Sequence, residues 1–243
     1  MTFSVDLIPP IDPIKTLEWG HIYNWKKISC PYKALKGDDV KKIILLIIVF
    51  MALQNVALAD ENLLQIDHTL EFAFEHARTY PPEFESELQK ANLKKELVIA
   101  ISQLEEMLSK SDQSQEILLR LGKANTFAYN LDISESKEKA DKYFAQLFKL
   151  SSKHRDGHLF YGHHLSERGE FENAVSHLQI AADEGEDRAL YMIGLAYIQF
   201  GKADKAKEYL LKFQKKYPGN PDVKILLESF DPNGKYQYKL MKE

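Results

Sequence analysis

The sequence predicts an all-α fold, a stack of helix-turn-helix hairpins, and three observations carry that prediction. From Asp60 onward there is no sustained alternation at period two. Apolar residues recur instead at three and four spacing in segment after segment, which places them on one side of a helix. Two consecutive pairs of these segments also align residue for residue at a constant offset of 32.

The chain opens with a different kind of segment. Residues 40–62 read VKKIILLIIVFMALQNVALADEN. Lys41 and Lys42 precede an apolar run from Ile43 to Leu53, Gln54 and Asn55 interrupt it, and Ala57-Leu58-Ala59 follows. That order of basic, apolar and small residues is the anatomy of a secretory signal peptide, with the cut expected after Ala59 so that Asp60 opens the mature chain. A bilayer-spanning helix needs roughly 20 apolar residues, and Gln54-Asn55 stops this run short of that. An uncleaved signal that anchors the protein is the competing expectation. Because such a signal belongs at an N-terminus, residues 1–39 are expected to be a mis-assigned extension, with Val40 as the true start. The expected location is export, to the periplasm if the source is a Gram-negative bacterium.

Removing residues 1–59 takes away Trp19, Trp25 and Cys30, so the mature chain lacks Trp and Cys. It therefore has no internal disulfide, thiolate metal site or cysteine nucleophile. Of 32 basic and 36 acidic residues, 25 and 31 remain, a net charge of minus six. Nothing in that balance attracts a polyanion, and nucleic acid is not an expected partner.

The helices expected in the mature chain are 61–79, 84–110, 114–130, 135–151, 156–168, 171–183, 187–200, 203–216 and 221–230. Between them stand Pro81-Pro82, Ser111-Asp112, Asn130 to Ser134, Arg168-Gly169, Glu184-Gly185, Gly201 and Pro218-Gly219-Asn220-Pro221, residue types that end helices or form turns. In the first aligned pair, His158, Tyr161, Gly162, Leu165, Gly169, Phe171, Ala174, Leu178 and Ala181 fall in order. In the second come Leu190, Ile193, Gly194, Tyr197, Gly201, Ala203, Ala206, Leu210 and Phe213, then Pro218. A glycine inside a helix costs about 0.5–1 kcal/mol relative to alanine, so its recurrence at one place needs a reason in packing. Small residues at Gly162, Gly194, Ala174 and Ala206 would let the two helices of a hairpin approach closely.

This pattern resembles the tetratricopeptide repeat, a helix-turn-helix unit of about 34 residues. The second pair fits best, through Ile193-Gly194-x2-Tyr197, Gly201, Ala206 and Pro218, with Leu190 where the family has Trp. Residues 114–220 are expected to hold the repeats. The earliest unit is divergent, because Gly122 and Ala140 are 18 apart where the later units have 12, which lengthens the turn around 131–137. Residues 60–113 form a degenerate pair or N-terminal cap, and 221–243 a capping helix and tail. The resemblance implies a right-handed superhelix whose first helices line a concave groove that takes an extended peptide or a partner helix. By alignment the groove residues are Asp156, Leu159, His163, Ser166 and Glu167 from one unit and Arg188, Tyr191, Leu195, Ile198 and Gln199 from the next. Arg188 and Tyr191 lead among them, since these residue types contribute strongly to interfaces. Tyr236, Tyr238 and Leu240 are candidates to fold back over the same stripe.

Chemistry has weaker support. The sequence has no Gly-rich phosphate loop, H-E-x-x-H, G-x-S-x-G or cysteine pair, so the common phosphate, zinc and acyl-transfer signatures are missing. His154, His158, His163, His164 and His177 cluster in sequence, and a zinc-dependent or hydrolytic enzyme using that group is the alternative to a scaffold. Adjacent His163 and His164 point about 100° apart on a helix, which argues against convergence on one ion. Asp183-Glu184-Gly185-Glu186-Asp187 lacks the ligand spacing of a calcium loop and reads as a solvated turn. The expectation is a non-enzymatic protein with no cofactor, whose partner is another protein or peptide.

Overall fold

The computed structural model describes residues 37–110, 114–231 and 234–237. Nearly all of residues 1–39, and Ser111-Asp112, Tyr238 and Leu240, lie outside them. Two compact units divide the chain, Met1–Val56 and Ala57–Glu243.

Among the described residues the secondary structure is helical apart from one isolated bridge. The helices are α1 (Gly37–Ala77), α2 (Glu87–Lys110), α3 (Gln115–Asn130), α4 (Ser136–Leu150), α5 (Arg155–Glu167), α6 (Phe171–Asp183), α7 (Arg188–Gln199), α8 (Ala203–Lys216) and α9 (Pro221–Glu228). Eight of the nine match the expected segments to within a few residues. The exception is α1, expected to start near 61 and found to start at Gly37. Gln54-Asn55 breaks the hydropathy but not the helix, because residues 38–77 contain no Gly or Pro and Ala and Leu are strong helix formers. In the first unit, Ile44 through Phe50 present their side chains to solvent.

In the second unit neighbouring helices pack in sequence as antiparallel hairpins, α3 with α4, α5 with α6 and α7 with α8. The glycine register is met as packing predicts. A Cβ on Gly162 would stand 2.6 Å from Leu178 Cγ, and one on Gly194 2.7 Å from Leu210. In the divergent unit the same place is taken by Gly122 against the Phe144 ring. The extra residues of that unit go into a longer α3 and a wider turn, where Asp132 and Glu135 adopt positive φ.

Turns in the later units share one construction. Gly169 N–H donates to Ser166 O and Glu170 N–H to Leu165 O, while Gly201 and Lys202 repeat this on Ile198 and Tyr197. These are the paired bonds of a Schellman motif, which needs the positive φ seen at both glycines.

The buried core runs along the stack in three clusters. Ile66, Leu70, Ala73 and Ala77 of α1 join Leu93, Leu97 and Leu104 of α2 and Leu118, Phe127 and Phe144 of the next hairpin in one buried cluster. Two further clusters carry it to Val223 of α9. After α9 the chain turns back through an antiparallel bridge between Phe230 and Tyr236.

A candidate partner groove on the first helices

The first helices of the hairpins, α3, α5 and α7, lie side by side, and α5 and α7 form the wall of a groove. It encloses about 400 Å³. Leu159 and Phe160 of α5 and Tyr191, Met192 and Leu195 of α7 form its apolar floor, and Phe213 of α8 closes one side. Phe74, Arg78 and Thr79, at the end of α1, close the other.

Of the residues expected to face a groove, Leu159, His163, Ser166, Glu167, Arg188, Tyr191, Leu195 and Gln199 line this one. Two do not. Ile198 is only 8% exposed and packs with Ala206, Leu210, Phe213 and Val223. It stands one helical turn after Gly194, on the side of α7 that faces α8, whereas Leu195 and Gln199 are rotated toward the groove. Asp156 instead pairs with Arg155 at 2.8 Å, beside a shallow polar hollow with His154 and Glu184.

The rim is held by bonds distant in sequence. His163 Nε2–H donates to Arg78 O at 2.8 Å, and Glu167 Oε2 accepts the Tyr80 N–H at 2.9 Å. Together they strap the α1–α2 connection onto α5. Burial lowers the His163 pKa, with the Glu167 charge opposing the shift, so the ring is neutral and serves as a donor to the strap. Arg188 is held by Glu186 through two bonds of 2.7 and 3.0 Å. Burial raises the Tyr191 phenol, and the nearby Asp222 charge adds to it.

Tyr236 belongs to the cluster that includes Tyr191 and Leu195 and meets Phe230 edge-on at 5.2 Å. The described tail therefore packs at the α9 side of this stack.

The remaining histidines are taken up by packing. His154 caps α5, its Nδ1 accepting from Gly157 N–H at 3.1 Å. His158 is buried, stacked on Phe148 at 4.1 Å, and bonded to Ser152 O and to His177. His164 lies fully buried between Tyr129 and Tyr161, its pKa pushed down to about 3 by burial and then by Arg168. Among the described residues no three His, Cys, Asp or Glu side chains are grouped to hold a metal ion. Of the acidic turn, Glu186 binds Arg188, and Asp187 binds Lys216 and Tyr217.

Sequence reading did not find Phe74, Arg78, Met192, Phe213 or Asp222 in the groove. They come from elements outside the matched first helices, or from a helix position whose rotation only packing reveals.

Comparison with known proteins agrees with the repeat geometry. Residues 188–220, which span α7, α8 and the turn before α9, match the tetratricopeptide repeat family. No curated protein matches the chain. The single matched repeat lies in a stack of hairpins that reproduces its glycine register two further times.

Proposed function

We propose that this protein is an exported, non-enzymatic scaffold that holds a peptide or partner protein in the groove of its helical repeats. The observation that carries the reading is the groove itself. An apolar floor made by Leu159, Tyr191, Met192 and Leu195 is framed by Arg78, Arg188, Glu167 and Asp222, a layout suited to a side chain that inserts and a backbone held at the rim. The repeat matched at 188–220 belongs to a family that binds proteins, and a helical stack offers a surface without itself supplying chemistry.

Export rests on the sequence of Lys41 to Ala59, and in a Gram-negative source the protein would work in the periplasm, where it could serve assembly of an envelope complex. An uncleaved signal would tether the same scaffold to the membrane.

In-cell cross-linking followed by mass spectrometry tests the groove. A partner captured by the native protein should be lost with Leu195→Glu and kept with Leu211→Glu, since Leu211 is 46% exposed on α8 and lies outside the groove. Equal loss or equal retention in the two variants would sink the reading.

A further inference from the structure

The groove has an apolar floor and a rim without net charge, since Arg78 and Arg188 stand against Glu167 and Asp222. Apolar pattern rather than charge therefore decides what seats in it. One such pattern lies in the chain itself. From Lys235 to Leu240 polar and apolar residues briefly alternate, with Tyr236, Tyr238 and Leu240 set between Lys235, Gln237 and Lys239. In extended backbone alternate residues share a face, so this segment carries an apolar side and a polar one.

The described part of the segment is set at the edge of the groove. An antiparallel bridge joins Phe230 and Tyr236, and Gln237 N–H donates to Ser229 O at 2.7 Å, so the chain reverses and runs back past the end of α9. Lys235 and Gln237 are exposed, while Tyr236 between them is half-buried. Tyr236 packs on the cluster of Phe213 and Val223 that Tyr191 and Leu195 also join, and a charge on its phenol acts on that of Tyr191. Phe213, Tyr191 and Leu195 all line the groove. Residues 238–243 follow Gln237, the last described residue.

Resting on the reading that the groove binds a peptide, we propose that the chain's own residues 238–242 are its resident occupant, seated there until a partner displaces them. Tyr236 fixes the face. In extended backbone continued from it, Tyr238 and Leu240 turn to the side that Tyr236 takes, and Lys239 to the other. The reach suffices as well. Packed helices stand about 8–10 Å apart, and four residues of extended chain cover about 13 Å, enough to carry Leu240 from beside Tyr191 on α7 to Leu159 on α5. Because the segment is tethered, even a weak contact keeps the groove filled. A partner then binds with an affinity reduced by the fraction of time the groove stands open.

The test is NMR of the full chain with labelled Leu and Met methyl groups. Magnetisation should pass through space between the methyls of Leu240 and those of Leu195 or Leu159, and a soluble paramagnetic agent should spare Leu195. Tyr238→Ser with Leu240→Ser should expose Leu195 to the agent. The same variant should raise partner capture by cross-linking about tenfold, the gain when a groove open one-tenth of the time is opened fully. Leu240 methyls at the shifts of an unfolded chain, with Leu195 equally exposed in both forms, would overturn the proposal; a partner still lost on Leu195→Glu would then leave the groove reading standing. Transfer seen only between differently labelled chains would place the segment in a second copy and overturn it too. Transfer within one chain, with no partner captured by either form, would uphold the resident segment and remove the groove reading instead.

Discussion

His158 and His177 face each other with their Nδ1 atoms 2.8 Å apart. His158 Nε2–H donates to Ser152 O, so its Nδ1 is bare and accepts from His177 Nδ1–H. That assignment follows from the bonding network. The pair is satisfied only while both rings are neutral, since a proton on His158 Nδ1 would set two N–H groups against each other. Stacking on Phe148 and the nearby Tyr161 ring remove the water that could relieve this.

Acid should therefore weaken the fold. Burial holds His177 at about 4 and His164 at about 3, and lowers His158, while each takes a proton near pH 6.5 when unfolded. Their folded pKa values lie below the unfolded ones, so the unfolded chain binds more protons, and stability falls as the pH drops below 6.5. The loss is up to about 1.4 kcal/mol per pH unit for each histidine, until the folded value is reached. Glu184 near His158 and Glu170 near His164 moderate it, and Arg168 and Lys137 near His164 deepen it. Urea unfolding at about pH 7.5 and 5.5 should show that loss, and His177→Gln should reduce the slope by about one proton. Equal slopes would contradict a neutral His177.

Gly194→Ala should destabilise the protein although alanine is the better helix former. The new Cβ would lie 2.7 Å from Leu210 Cδ2 and Cγ, forcing α7 and α8 apart. Overpacking costs about 1–3 kcal/mol, and the helical gain returns at most about 1. Thermal unfolding should report a net loss, and adding Leu210→Ala should make the alanine at 194 less harmful than it is alone.

Ile198 and Gln199 are neighbours with opposite fates. Ile198→Ala should lower stability by about 2–5 kcal/mol, because the side chain fills the α7–α8–α9 core. Gln199→Ala, on the exposed groove edge, should stay within about 0.5. Denaturant titration of both variants would reverse this order if Ile198 instead faced the groove.

Asn130, at the end of α3, donates from Nδ2 to Ala77 O at 3.0 Å and Arg78 O at 2.9 Å, satisfying carbonyls at the C-terminus of α1. Asn130→Ala should cost about 1–3 kcal/mol. Asn130→Asp should cost more, since a carboxylate would then face two carbonyl oxygens. Melting temperatures in the order native, Ala, Asp would bear this out, whereas equal values would show that the α1 end needs no such bond.

A chain beginning at Asp60 should fold with the stability of the full chain. Its boundary with the preceding unit falls at Val56, and among the described residues the first buried apolar side chain of the core is Ile66. Calorimetry of the two forms would show a lowered transition in the shorter one if residues before Asp60 were part of the core.

Local rules made most of the helices legible in the sequence. Apolar spacing, Gly169, Gly201 and the Pro218–Pro221 turn act over a few residues, and the 32-residue offset aligned Gly162 with Gly194 and Leu178 with Leu210; that each glycine packs on its leucine came from the structure. The continuity of α1 was missed because hydropathy and helix propensity are different properties, and Gln54-Asn55 changes only the first.

What the sequence alone determined was the hairpin register and the rows of first-helix residues, because both follow from helical periodicity within one segment. The tertiary structure decided which edge of each row meets solvent. Ile198 and Leu195 are three residues apart and similarly apolar, yet a small rotation of α7 against α8 buries one and opens the other. It also brought Phe74 of α1 beside Phe160, whose ring lies under Lys123 of α3. Phe74 and Phe160 are 86 residues apart, and no periodicity within a single helix encodes their contact.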